Sequence, residues 1–221
     1  MAPKQQSPLN KVIRGGTTAF LANMATDATF GKESVGAGAQ VSMSSTDGFL
    51  HKGSTATGRA GFWLPFLVPP NLFDMHPSLS FSAYPWGGGV AAASTSTDTY
   101  AVFGRVGAGG NFLVGFKNFG FLFRNNNGVK QLFATASDGT TQTLVSVPIQ
   151  TDAHHFYHCE LVNGSAYFYI DNANVAVIST NVPAGSTTGN FLWGFQQFGI
   201  AGTGADYHYT SSWVEASWDL T

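Results

Sequence analysis

Charged side chains are scarce in this sequence. Only 10% of the 221 residues are Asp, Glu, Lys or Arg, against roughly 25% in an ordinary soluble domain. Disorder does not explain the shortage, because 43% of the residues are hydrophobic and phenylalanine alone occurs 19 times. The net charge of −2 also leaves the chain without the basic surface that nucleic acids attract. We therefore expect a folded protein with a weakly charged surface and no nucleic-acid partner.

Disulfides, export signals and membrane spans are missing as well. A single cysteine excludes an internal disulfide framework. The first residues, MAPKQQSPLNKVIRGG, contain no apolar core of a secretory signal. The most apolar window, Gly61 to Pro70, is too short and too rich in proline to span a bilayer. The sequence predicts a protein that is made in a cytoplasm, is not exported by the Sec route and does not enter a membrane.

Helical periodicity is absent too, and the pattern in its place is typical of β-structure. Short runs rich in Phe, Val, Tyr and Thr alternate with clusters of Gly, Asn, Ser and Asp. Many such runs at this spacing predict an all-β antiparallel sandwich. The predicted strands are 60–68, 79–84, 99–106, 111–117, 120–124, 129–136, 142–148, 155–162, 165–171, 175–180, 191–200 and 207–220.

Residues 1–58 differ in composition from the rest, because Gly, Ala, Ser and Thr dominate there and aromatics are few. Alone, this segment could not bury enough apolar surface to become ordered. We predict an extended N-terminal arm that docks on a partner or adds strands to a sandwich formed by residues 59–221. A basic and apolar cluster near its start is a candidate docking element, the alternative being an ordinary solvated terminus. The candidate docking residues are Lys4, Leu9, Lys11, Val12, Ile13 and Arg14.

The segment from Tyr157 to Asn172 contains the only cysteine, a histidine and two carboxylates, and so it is a candidate reaction centre. Asn163-Gly164 between two β-prone runs, however, predicts a hairpin with a type I′ turn. Side chains then alternate between two faces. One face is predicted to be core, with Tyr157, Cys159, Leu161, Ala166, Phe168 and Ile170. The other face is predicted to carry His158 opposite Tyr169 and Glu160 opposite Tyr167.

This hairpin argues against both a reactive thiol and a metal centre. A cysteine on the core face behaves as a small, inert hydrophobic residue. His154 and His158 share a strand face but lie about 13 Å apart along the strand. One zinc ion, which needs ligands at about 2 Å, cannot bind both. We predict no metal site and no cofactor.

The same segment, HHFYHCELVNGSAYFYIDNANVAVI, resembles the concanavalin A-like (laminin-G-like) jelly-roll superfamily. That family shows an aromatic or histidine start, a D/N-G turn, and a strand ending in an aromatic-aliphatic-Asp-Gly motif. Asn172 stands in place of the final glycine, and asparagine also tolerates positive φ. The closing SSWVEASWDL resembles the family's last strand. The resemblance covers Gly58 to Thr221 and implies a jelly roll, a scaffold shared by lectins, glycanases and viral proteins.

Members of this family that cut glucans carry the motif E-x-D-x-x-E on one strand, which places two carboxyls about 5 Å apart. None of the 12 acidic residues falls in that pattern. Glu215 and Asp219 are four residues apart, about 13 Å along a strand. We therefore predict that the protein is not an enzyme and has no catalytic residues.

The last predicted strand presents aromatics on one alternating face. Tyr207, Tyr209 and Trp213 lie there beside Asp206 and His208. Aromatic rings next to polar groups can stack on sugars, so these three residues form a candidate glycan face. The alternative is that they pack beneath the N-terminal segment or a neighbouring subunit.

The leading functional prediction is a non-enzymatic virion structural protein, a bacteriophage capsid decoration or cement subunit. It would bind the major capsid protein or other virion subunits at the capsid surface, after synthesis in the host cytoplasm. It would also bind sister subunits as a homo-oligomer, for example a trimer. The alternative is a carbohydrate-binding module, either a tail-fibre receptor-binding domain or a lectin, that recognises host surface glycans. A third hypothesis, a glycan-cleaving enzyme, would depend on Glu160 or Glu215.

Overall fold

In the computed structural model the chain folds into two large antiparallel β-sheets and a two-stranded ribbon. A short 3-10 turn, Leu72–Asp74, precedes β6. No helix in the described ranges is long and apolar enough to cross a membrane. The structure describes residues 17–23, 31–35, 40–44, 48–52, 59–63, 71–84, 96–104, 116–126, 129–148, 154–186, 193–200 and 210–218.

The described ranges contain fifteen strands, each a run of β-branched, aromatic or small polar residues. They are β1 Thr17–Asn23, β2 Gly31–Val35, β3 Gln40–Ser44, β4 Gly48–Lys52, β5 Arg59–Trp63, β6 Ser78–Tyr84, β7 Ser96–Gly104, β8 Lys117–Asn126, β9 Val129–Asp138, β10 Gln142–Val147, β11 His155–Val162, β12 Ser165–Ile170, β13 Ala173–Ile178, β14 Trp193–Ile200 and β15 Thr210–Trp218.

The six-stranded sheet has the order β1-β15-β6-β11-β12-β13, and the seven-stranded sheet has the order β10-β9-β8-β7-β14-β5-β2. All described pairings are antiparallel. The predicted all-β antiparallel sandwich is confirmed. Strands far apart in sequence lie side by side: β6 pairs with both β11 and β15. The order of the strands therefore depends on long-range contacts.

Two strands from the first 58 residues lie in these sheets. β1 pairs with β15 and β2 pairs with β5, while β3 and β4 form the separate ribbon. The division of the chain at residue 58 stays a prediction. The candidate docking residues Lys4, Leu9, Lys11, Val12, Ile13 and Arg14 lie outside the described residues.

One predicted strand boundary is wrong. We expected a break between strands 111–117 and 120–124, but β8 runs without interruption through Asn118. Asn118 is buried and pairs with Gly104 of β7 and Ser137 of β9. Two neighbouring strands hold this polar residue in the ladder, although its local propensity favours a turn. Residues 111–115 of the predicted strand lie outside the described part.

The core lies between the two sheets and is largely aromatic. Phe81 of β6 and Phe168 of β12 both meet Phe121 of β8 edge to face, at centroid distances of 6.0 and 5.6 Å. Such pairs add about 1 kcal/mol each to the burial of their apolar area. A second, smaller cluster of Tyr100, Val102, Leu122 and Phe133 lies on the opposite face of the seven-stranded sheet.

Candidate functional site

The β11–β12 hairpin forms as the sequence predicts. Asn163 and Gly164 have φ of 49° and 73°, the positive values that a type I′ turn requires. The register places Cys159 opposite Phe168 and His158 opposite Tyr169. Buried and half-buried residues then alternate along both strands, and the predicted division into a core face and an outer face is confirmed.

Cys159 belongs to the core and not to a reaction centre. Its side chain is 0% exposed, and it is a free thiol. Burial raises the pKa of this thiol well above its ordinary value, which suppresses the thiolate that a nucleophile needs. The cysteine therefore packs as a small hydrophobic residue.

The outer face of the six-stranded sheet carries polar and aromatic side chains, and we call it the His158 face. His158 Nδ1 lies 2.8 Å from Ser80 Oγ on β6. The His158 ring also lies 5.5 Å, centroid to centroid, from the ring of Tyr169 on β12. Described side chains of the face include Ser78, Ser80, Ser82, His158, Glu160, Tyr167, Tyr169 and Ser217.

Glu160 supplies a carboxylate to this face. The Tyr169 hydroxyl donates a hydrogen bond of 3.1 Å to Glu160 Oε1, and His158 Nε2 lies 3.9 Å from Glu160 Oε2. Partial burial, and then the contact with Glu160, raises the pKa of the Tyr169 phenol, so this phenol stays a proton donor. The Glu160 side chain is 36% exposed. The face therefore offers solvent a positioned acceptor beside two aromatic rings.

Strand pairing extends this face toward β15. Ser80 pairs with both His158 and Glu215, while Ser82 pairs with Trp213. The backbone of Trp213, one of the three predicted glycan-face residues, is thus in the same sheet, one strand beyond β6. Tyr207 and Tyr209 lie outside the described residues, and of Trp213 only the backbone is described. The predicted glycan face stays a prediction.

A second polar group lies on the outer side of the seven-stranded sheet. Arg124 Nε and Nη2 donate to the two carboxylate oxygens of Asp98 at 2.7 and 2.8 Å. The guanidinium lies 5.5 Å from the ring centroid of Phe133. Gln142 Nε2 donates to Thr135 Oγ1 at 2.7 Å. Asp98 is only 1% exposed, so this group mainly fixes neighbouring strands together.

Sequence reasoning missed Ser80 as the partner of His158 and missed the Asp98–Arg124 ion pair. In the strand LSFSAY the serines alternate with apolar residues, and this pattern indicates that they lie on one polar face. The pattern does not predict which residue Ser80 contacts, because Ser80 and His158 are 78 positions apart in the sequence. Only the pairing of β6 with β11 brings the two residues together.

No protein-family model matches the sequence, and no curated protein is similar to it. Solved structures do resemble it. The carbohydrate recognition domain of Emp46p in its potassium-bound form aligns with a TM-score of 0.55 at 14% identity, over 90% of this chain and 96% of that chain. A Bacillus licheniformis β-glucanase aligns with a TM-score of 0.57 at 12% identity, over 95% and 100%. A carbohydrate esterase of the Shiga toxin-encoding bacteriophage phi24B aligns with a TM-score of 0.55 at 12% identity, over 93% and 100%.

These similarities correct one prediction. We inferred from the missing E-x-D-x-x-E motif that the protein is not an enzyme, and this inference is wrong. The β-glucanase and the esterase share the fold over nearly its whole length, so the scaffold includes enzymes. A search along one strand also overlooks acids that converge from separate strands.

At these identities the similarity shows the fold alone. Carbohydrate-recognition domains and a bacteriophage protein are among the structures that share it. Capsid decoration stays a prediction. The chain has the concanavalin A-like jelly-roll fold, as the resemblance of its hairpin predicted.

Proposed function

We propose that the protein binds carbohydrate through the His158 face. The observation that carries this proposal is the half-exposed Glu160 carboxylate, positioned by the Tyr169 hydroxyl at 3.1 Å. Sugar hydroxyls donate hydrogen bonds to a carboxylate, which only accepts. Their C–H faces pack on aromatic rings such as Tyr167 and Tyr169. A polar acceptor beside aromatic surface is the chemistry that a glycan site needs.

The arrangement is held in place before any ligand arrives. Ser80 contacts one ring nitrogen of His158, and the ring lies against Tyr169. Tyr169 in turn donates to Glu160. A site whose side chains are already ordered loses less conformational entropy on binding. Strands β6, β11 and β12 therefore support a site that needs little rearrangement.

The similar structures support the same chemistry. They include the carbohydrate recognition domains of Emp46p and Emp47p, and a carbohydrate esterase and a β-glucanase. Proteins of this shape thus act on or recognise carbohydrate in several settings, which favours glycan binding over an unrelated role for the exposed acceptor and rings.

A glycan array followed by calorimetry on the full chain tests the proposal. Replacing Tyr169 with Ala removes both the ring and the donor to Glu160, and we expect binding to weaken at least about tenfold. Asp138→Asn is the matched control, because Asp138 is a carboxylate in a turn of the other sheet. A blank array, or equal loss in both variants, would overturn the proposal. Release of reducing ends in the same incubations reports whether a bound glycan is also cleaved.

We propose a virion as the setting of this binding, either on the capsid surface or in a tail fibre. Support comes from the bacteriophage esterase, whose whole chain the alignment covers, and from the 10% of charged residues. The partners would be the major capsid protein or other virion subunits and sister copies of this chain. Sedimentation of the pure protein with empty shells tests the capsid location, and failure to co-pellet at micromolar concentration would contradict it.

A further inference from the structure

We propose that Ser80 is a nucleophile, with His158 as its general base and Glu160 as the group that positions the base, and that this site transfers small acyl groups from esters to water. The inference deepens the proposed glycan binding and rests on it for the substrate class, which is an O-acylated glycan. The acyl-transfer chemistry itself follows from the contacts of the three side chains.

The contact between Ser80 and His158 has the geometry of a nucleophile and its base. The two residues lie directly opposite each other on β6 and β11, and Ser80 Oγ lies 2.8 Å from His158 Nδ1. A base within about 2.6–3.2 Å of a serine hydroxyl can activate it. Another serine contact of the same sheet joins Ser78 Oγ and Ser217 Oγ, two hydroxyls of which neither can activate the other. The partner of Ser80 is therefore what distinguishes it.

Glu160 favours the form of His158 that this role requires. His158 Nε2 lies 3.9 Å from Glu160 Oε2, and a carboxylate, which only accepts hydrogen bonds, attracts the ring proton to that nitrogen. Nδ1 then keeps its lone pair and can accept the proton of the Ser80 hydroxyl. The imidazolium that forms lies beside the carboxylate, which stabilises it. A serine, a base and a carboxylate in this order are recognised by their geometry and not by their spacing in the sequence.

The remaining contacts hold the base in place and limit the substrate. The His158 ring lies 5.5 Å, centroid to centroid, from the ring of Tyr169, whose hydroxyl donates to Glu160. Ser80 is 9% exposed, while the side chains of His158 and Glu160 are 18% and 36% exposed. The serine is thus the least accessible of the three, and a short acyl group such as acetyl suits this access better than a long one.

The reaction takes place in two steps. In the first step Ser80 Oγ bonds to the carbonyl carbon of the ester, while its proton passes to His158 Nδ1. The bond between that carbon and the alkoxy oxygen then breaks, and the leaving alcohol takes the proton. In the second step a water molecule gives a proton to Nδ1 and attacks the acyl carbon, and Ser80 regains the proton as the carboxylic acid leaves. An ester and water are thereby converted to an acid and an alcohol.

The activated ester p-nitrophenyl acetate tests acyl transfer by the full chain without any glycan. Release of nitrophenolate should be accompanied by an acetylated protein, and peptide mapping by mass spectrometry should place the acetyl group on Ser80. Ser80→Ala should abolish this label, and His158→Ala should slow its formation at least about a hundredfold. Ser146→Ala, at an exposed serine of β10 in the other sheet, is the matched control and should leave both the rate and the label unchanged.

The positioning role of Glu160 has its own test. Glu160→Gln should slow the acetylation of Ser80 about fivefold or more, because the carboxylate no longer stabilises the imidazolium. Glu160→Asp, which keeps the charge, should restore much of the rate. Equal rates in the wild type and Glu160→Gln would contradict this role. Unchanged circular dichroism of each variant excludes misfolding as the cause of a loss.

An O-acetylated glucose oligomer separates this inference from the proposed function. Acetate release that is lost in Ser80→Ala supports both. Binding of the oligomer without acetylation of Ser80 by either ester, or an acetyl group only on other residues, overturns the acyl transfer and keeps glycan binding. Acetylation of Ser80 by the nitrophenyl ester, without binding or deacetylation of the oligomer, overturns the glycan as substrate and keeps the nucleophile.

Discussion

Tyr157 and Phe81 stack face to face at the centre of the sandwich, with ring centroids 5.0 Å apart and planes 16° from parallel. Phe121 and Phe123 meet the same tyrosine edge-on, at 5.2 and 5.3 Å. The Tyr157 hydroxyl is buried and has no hydrogen-bond partner within the described part of the chain. Aromatic contact, and not hydrogen bonding, therefore accounts for the position of this residue.

Tyr157→Phe should stabilise the protein by about 1 kcal/mol, because it removes a buried polar group that lacks a partner and keeps the ring. Urea unfolding followed by fluorescence measures the difference. Tyr157→Ala is the opposite change and should destabilise by about 3–5 kcal/mol through the lost aromatic packing. A Phe variant clearly less stable than the wild type would mean that the hydroxyl is satisfied.

Cys159 should resist thiol reagents in the folded protein and react in denaturant, since burial both shields it and raises its pKa. Because the chain has 1 cysteine, the absorbance of the thiolate released from an aromatic disulfide reagent measures the reaction of this residue alone. Rapid labelling of the native protein would contradict the core position. Cys159→Ser should also destabilise by about 1–3 kcal/mol, because it buries a hydroxyl in an apolar site.

Arg124→Met should destabilise by up to about 3 kcal/mol, because Asp98 would stay buried without its partner. The Arg124 side chain is 31% exposed while Asp98 is 1% exposed, so solvent can compensate only in part. Asp98→Asn combined with Arg124→Met should recover much of the loss. A double-mutant cycle from urea unfolding measures the coupling, and purely additive losses would show that the pair contributes nothing specific.

Gly120→Ala should destabilise much more than Gly164→Ala. A Cβ at Gly120 would overlap the carbonyl oxygen of Ala101 and lie 2.7 Å from Val102 Cα, and a packed strand cannot give way without a cost of about 1–3 kcal/mol or more. A Cβ at Gly164 would have no described atom within 4 Å beyond its neighbours in sequence, so only the positive φ of 73° opposes the side chain, at about 1 kcal/mol. Thermal melting of both variants checks this order.

The Asp138 turn should loosen at low pH. Hydrogen bonds from the backbone N–H groups of Thr141 and Thr140 lower the pKa of this carboxyl below its ordinary 3.8. A lowered folded pKa means that its stabilising effect is present above 3.8 and is lost as the pH falls through the folded value. An NMR titration of the two amides should show this transition, and Asp138→Asn should abolish it. Amide shifts that do not change on acidification would contradict the assignment.

Local sequence determined the β11–β12 hairpin in detail. Asn163-Gly164 demanded positive φ, and period-two alternation then placed Cys159 in the core and His158 outside, as observed. A turn at Asp138 follows from an equally local pattern, because an Asp-Gly pair followed by threonines favours a turn, and the hydrogen bonds of this turn are present. Each of these features depends on residues within a few positions of one another.

The amino-acid sequence by itself determined the all-β sandwich, most strand positions and the division of the hairpin's side chains between core and outer face. These features follow from β-propensity and from the alternation of apolar and polar residues. Only the tertiary structure decided that Ser80 contacts His158 and that Asp98 binds Arg124, since these partners are 78 and 26 positions apart. The continuity of β8 through Asn118 also depends on tertiary structure, because β7 and β9 pair with β8 at this residue. Contacts between distant strands depend on which strands become neighbours in a sheet, and local sequence patterns do not predict that pairing.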